Sequence, residues 1–243
     1  MQPHELHEST LAGTEPRQYA DALHSAGNKL AKDGDEVVVA GHDLAREVAE
    51  NPEHYSSAVS RFMQLPNGLD GEQHAKVRAM IERYLDAPAV EGLEPVLREI
   101  AREIINDALA HGTADAVGDL GTQYAVRAMT AWLGWPSAVN DELVVWVADN
   151  NAATRSGQLE RTAEVARRFD DIIRSVVEPL RENPDDSVTS RLVHDESLGR
   201  PLEFEEVVSV LRNWTAGDLS SMAYCIGAVS YTHLRAHETG RNL

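Results

Sequence analysis

Two short stretches hold residue types that could do chemistry together. In Asp70-Gly-Glu-Gln-His74-Ala-Lys-Val-Arg78 a histidine and an arginine stand four apart. On a helix that spacing turns both side chains in one direction. By helical angle they fall on the side of Val77, Ile81, Tyr84 and Leu85, an apolar stripe. An unpaired arginine there would cost on the order of several kcal/mol, so an anion must meet it. Its partner is a protein carboxylate, or a ligand carboxylate that His74 and Arg78 grip together, unless the chain snorkels to the edge. The second stretch is Ala216-Gly217-Asp218-Leu219-Ser220-Ser221. Gly217 lacks a Cβ, so a flat ligand can come close to the backbone there. A carboxylate and two hydroxyls follow at once. The same residues also suit a helix-packing notch with serines bonded to the turn before.

The elements that must carry these residues are mostly helices. Residues 17–32 read as a modest helix, and 35–40 (DEVVVA) as the one clear strand. Asp43 can cap a short helix over 44–50. Residues 54–69, with Pro66, Asn67 and Gly68, read as irregular. A helix opens at Asp70, with Gln73 completing an approximate capping box, and runs to about 86. Others follow over 93–109, 120–133, 139–154, 158–182 and 187–194, and a last long helix begins near Glu203. From Trp214 this last helix is apolar nearly all round, which predicts burial. Polar groups inside it need partners or a job.

Composition narrows the class. The 243 residues carry 42% hydrophobic side chains, enough for a packed core, and a net charge of −18. So acidic a surface repels phosphate backbones and anionic lipid, which argues against nucleic-acid and membrane partners. Neither a spanning apolar run nor the basic-then-apolar order of a secretory leader is present, so the cytoplasm is the expected compartment. A single cysteine, Cys225, excludes an internal disulfide and a multi-cysteine metal site.

Together the two stretches resemble the cytochrome P-450 family, haem-thiolate monooxygenases, especially its soluble bacterial members. The resemblance runs from about Asp35 to Val229. Val37–Val48 (VVVAGHDLAREV) is similar to the family's early strand and helix, and Ser56–Ser60 to the segment after it. The stretch holding His74 and Arg78 resembles the helix that crosses the haem, where such a pair binds the propionates. Ala216–Ser221 resembles the groove motif of the long central helix, usually Ala/Gly-Gly-x-Asp/Glu-Thr. The resemblance implies a mainly α fold, the N-terminal portion of the P-450 fold, with a small β element near 35–40. It implies haem b, a small organic substrate, dioxygen, and an electron donor of the ferredoxin and ferredoxin-reductase type. It places haem contacts at His74, Arg78, Ala216 and Gly217. Substrate choice would rest on residues 54–69 and 139–182. Lys76 and Arg83 could face the electron donor.

Several positions depart from the family. Leu219 stands where the acid is usual and Ser220 where the threonine is, so proton handling falls to Asp218 with Ser220 or Ser221. The later Phe-x-x-Gly-x-x-x-Cys-x-Gly loop is missing, and with it the axial thiolate. Cys225-Ile-Gly227 lies in mid-helix and reads as core. Glu238 and Arg241 copy a family spacing too soon after the central helix, and His233 and His237 lack a third ligand. After Ala228 the composition changes abruptly. The expected domain is therefore residues 1–229, with 230–243 a non-native tail, and the chain as written is expected to bind haem poorly and oxidise nothing. The rival readings are a cofactor-free helical interaction or regulatory module, and a Ser-His-Asp hydrolase. The hydrolase lacks Gly-x-Ser-x-Gly and a strand–helix alternation.

Overall fold

A computed structural model describes residues 7–8, 15–27, 29–60 and 62–240. The chain divides into two units, residues 1–59 and 60–243.

In the first unit, the turn at Gly34 and Asp35 folds Leu30–Asp33 (β2) back on Glu36–Val39 (β3). The two strands pair antiparallel, with Leu30 opposite Val39 and Asp33 opposite Glu36. A parallel strand, His7–Glu8 (β1), completes the order β1-β2-β3. The helix expected over 17–32 is shorter, Pro16–Ser25 (α1). Its predicted end became β2 because a two-residue turn with Gly34 at φ +62 offers the Val-rich β3 a partner, and pairing outweighs weak helix propensity. Tyr19, Leu23 and Ala31 form a small core between α1 and the sheet. His42–Ala49 (α2) closes the unit. Its N-cap is Gly41, not Asp43, which sits in the first turn.

The second unit is helical: Gly71–Glu82 (α3), Ala87–Glu91 (α4), Glu94–His111 (α5), a π-helical stretch Ala116–Thr122 leading into Gln123–Leu133 (α6), Asn140–Ser156 (α7), Leu159–Glu182 (α8), Val188–Val193 (α9) and Phe204–Gly240 (α10). The mainly α reading holds. The single-strand expectation gives way to a three-stranded sheet, and α4 and the π turn were not anticipated, although Asp86 and Asp115 cap them with their side chains. Asp70 does precede α3, but its side chain makes no capping bond.

The amphipathic faces close on one core. Trp146 of α7 stacks on Phe169 of α8 at 4.1 Å between centroids. The start of α10 is buried on every side, from Val207 to Leu211. Polar groups there are satisfied, as burial requires. The Ser209 hydroxyl accepts from the Leu65 amide at 2.8 Å and donates to the Met63 carbonyl at 3.0 Å. Asn213 Nδ2 donates to the Leu65 carbonyl at 2.5 Å, and the Thr215 hydroxyl to the Leu211 carbonyl at 2.6 Å. These bonds pin irregular residues 63–65 onto the central helix just before α3. Farther along, α10 crosses the π-helical stretch at very short range. A Cβ on Gly121 would lie 2.6 Å from the Ala223 carbonyl oxygen, and one on Gly227 would lie 2.5 Å from Val117 Cγ2.

Candidate functional site

The buried face of α3 is Val77, Met80 and Ile81, continued just past its end by Tyr84. Met80 and Tyr84 rotate the stripe away from Leu85, which is 42% exposed. Arg78 consequently lies more than a quarter-turn from the centre of the stripe. The expectation that Arg78 faces the apolar side is corrected. Its side chain is half exposed, and Nε donates to Glu82 Oε1 at 2.9 Å, an i, i+4 surface pair. Of the alternatives open for this arginine, the protein carboxylate is the one seen. His74 is half-buried on the same flank.

The second half of α10 also departs from the expectation of burial all round. Leu219 and Ala223 are buried, and Ala216 and Ser220 partly so. Gly217, Asp218, Ser221, Tyr224 and Cys225 form one exposed face. The described residues cover only the opposite face, through the close crossing at Gly121 and Gly227. A Cβ placed on Gly217 would meet nothing within 4 Å. The space above that glycine is open, as a flat group lying on the helix requires.

The two serines part company. The Ser220 hydroxyl turns toward α7 and meets Asn151 Oδ1 at 3.2 Å. The Ser221 hydroxyl stays on the open face and donates to the Gly217 carbonyl at 2.9 Å. Asp218 shares that face, three residues from Ser221. It has no hydrogen-bonding or ionic partner among the described residues; although the residue is exposed, the protein packed around its carboxyl partly desolvates it and pushes it above the usual range. Cys225 stands one turn beyond Ser221 on the same exposed side of α10, not in the core where it was expected. His233 is exposed; the side chains of His237, Glu238 and Arg241 lie outside the described residues.

A polar cluster that sequence reasoning missed anchors the end of α3. Asp195, 8% exposed, takes 2.6 Å hydrogen bonds from Arg83 Nη2 and from the Tyr84 hydroxyl on Oδ2, and its Oδ1 accepts from the Ser197 amide at 2.8 Å. Burial alone would raise the Asp195 carboxyl. The bonds from Ser197 and Tyr84 and the charge of Arg83 outweigh it and hold the carboxyl below its ordinary range. Burial first, then the bond to Asp195, drives the Tyr84 phenol upward. Asp195 lies in the loop after α9; the hint in the sequence is a tyrosine in the apolar stripe, whose hydroxyl needs an acceptor.

No family model matches the chain. In sequence it is similar to a cyclomarin C epoxidase of Salinispora arenicola, 28% identical over 183 residues, which cover 69% of this chain and 46% of that protein. It is similar to a mycinamicin IV hydroxylase/epoxidase of Micromonospora griseorubida, 27% identical over 145 residues, 58% of this chain and 36% of the relative. In structure it matches the crystal structure of the cytochrome P450 CYP101C1 with a TM-score of 0.75 at 23% identity, over 93% of this chain and 60% of the other. The chain thus spans under half the length of these two curated relatives.

Proposed function

We propose that this chain, which carries the N-terminal part of the cytochrome P450 fold and whose sequence relatives are P450 monooxygenases, supplies one wall of a haem-dependent monooxygenase site. The observation that carries the reading is the open face of α10, where Gly217 leaves room above the backbone beside Asp218 and Ser221. Haem b would lie on Ala216 and Gly217. His74 and the outward guanidinium edge of Arg78 would meet its carboxylates, since the single Nε bond to Glu82 leaves the two terminal nitrogens uncommitted. When bound, the haem would supply dioxygen activation and oxygen transfer to a C–H or C=C bond of a small organic substrate, with electrons from a ferredoxin-type donor.

The chain's own part is to exclude water and to move protons. Asp218 is the acid: it is unpaired, and burial shifts it toward the neutral form, so it can hold a proton and release it. Ser221 is the alcohol, because its hydroxyl stays on the Asp218 face while Ser220 is turned to Asn151. Ser221 Oγ would accept the proton from Asp218 and pass its own outward. Of Lys76 and Arg83, Lys76 is the one open to an acidic electron donor, because Arg83 is engaged by Asp195.

In this reading the chain as written binds haem weakly and is inactive. Its one cysteine, Cys225, is an exposed residue in the middle of α10 on the Asp218 face, and would not serve as the thiolate that holds the iron. The abrupt composition change marks residues 230–243 as a non-native tail, although α10 runs unbroken across it to Gly240. Among the described residues no helix is long and apolar enough to cross a membrane, and we assign the protein to the cytoplasm.

Haem titration of the purified chain tests the reading. We expect weak uptake that drops several-fold in Arg78→Glu and in Gly217→Leu, and no ferrous–CO band of thiolate type. Uptake indifferent to both substitutions would refute the assignment. DNA sequence past codon 229 at the source locus checks the tail.

A further inference from the structure

On the flank of α3 opposite His74 and Arg78, a groove of about 980 Å³ runs between that helix, the segment before it and the turn at 197–200. Its volume lies in the range of small-molecule sites, roughly 300–1,000 Å³. The floor is apolar: Leu65, Val77 and Met80 are buried beneath it, and Leu198 closes one side. The rim holds one uncommitted cation, in a chain whose net charge is −18. Three cations, Lys76, Arg83 and Arg200, line it against one acid, Glu206. Two of the three are already used. Arg83 Nη2 bonds Asp195 at 2.6 Å, and both terminal nitrogens of Arg200 bond Glu206 at 2.7 Å. Lys76 has no hydrogen-bonding or ionic partner among the described residues.

From the apolar floor and the one uncommitted cation at its rim, Lys76, we propose that the groove binds a small monoanionic amphiphile, a carboxylate on an apolar tail. The tail lies along Leu65, Val77, Met80 and Leu198, and the carboxylate meets the Lys76 ammonium at the rim. The two arginines are neutralised by Asp195 and Glu206 and shape the rim rather than attract the anion. The site is separate from the α10 face, so it stands whether or not that face takes haem; an acidic electron donor at Lys76 would compete with the anion for the same ammonium.

The test is calorimetric titration of the full chain with sodium dodecanoate below its micellar concentration. We expect saturable one-to-one binding that weakens with salt and is absent for dodecyltrimethylammonium. Lys76→Glu should weaken binding at least tenfold. Ala79→Trp, on the exposed groove side of α3, should abolish it by filling the space. Circular dichroism checks that both variants fold. Four results would each overturn the proposal: no saturable binding, equal affinity for the cationic amphiphile, wild-type affinity in both variants, or Lys76-dependent pelleting with anionic phospholipid vesicles without binding of free dodecanoate.

Discussion

Removing the Asp195 carboxylate should unfasten the end of α3, and the size of the loss follows from the geometry. The Asp195 side chain is 6% exposed and the Arg83 side chain 54%. The arginine arm is therefore a solvent-screened pair, at most about 1 kcal/mol. The Tyr84 arm is buried and ends on a charged acceptor, which is worth about 1.5–3 kcal/mol. Asp195→Ala should then lower unfolding free energy by about 2–4 kcal/mol. Asp195→Asn keeps an acceptor for the phenol and should cost about half as much. Urea unfolding followed by tryptophan emission is the assay, since Trp214 packs 5.6 Å from Tyr84. The pH dependence carries a sign. The folded-state carboxyl sits below its ordinary range, so its stabilisation is present above the unfolded pKa, near about 4. It is lost as pH falls through the lower folded value. The gap between wild type and Asp195→Asn should hold near neutrality and close on acidification. A double-mutant cycle with Tyr84→Phe should return about 1 kcal/mol or more of coupling. A loss under about 0.5 kcal/mol for Asp195→Ala, or a gap that widens in acid, would refute the reasoning.

Three further outcomes follow from the packing. Gly217→Ala should stabilise the chain by about 0.5–1 kcal/mol in thermal unfolding, because the helix gains and the new methyl meets nothing within 4 Å. Gly121→Ala should cost about 1–3 kcal/mol in the same assay, because its methyl would press on backbone at Ala223. Asp218→Asn should raise stability at neutral pH but not in acid. Its carboxyl titrates above the unfolded value, so the charged form is disfavoured in the fold once pH passes that unfolded value.

Much of this fold is legible in the residues. Helices over 140–156, 159–182 and 204 onward fall within a few positions of their periodic patterns. Long amphipathic runs state their type plainly. Short elements do not: β2 exists because β3 is beside it, and nothing local in Leu-Ala-Lys-Asp announces a strand. At the candidate site the composition of Ala216–Ser221 was readable, but the division between Ser220 and Ser221 was not. That depends on Asn151, sixty-nine residues away. Arg78 was misplaced because Met80 had been left out of the stripe, and one omitted side chain moved the inferred centre toward Leu85. The cluster around Asp195 was not read, because its side-chain partners Arg83 and Tyr84 lie more than one hundred residues back and only the stripe tyrosine hinted at an acceptor.

The crossing at Gly121 and Gly227 also decides what α10 shows to the outside. With Ala223 seated on one glycine and Val117 on the other, the long helix cannot roll about its own axis. A roll of one residue, about 100°, would swing Leu219 outward and carry Asp218 away from the gap. Which chemistry faces that gap is thus settled on the far side of the helix, by hydrogen atoms where any other residue has carbon. A search for function-altering substitutions confined to the visible surface would pass over the two positions that hold the whole face in register.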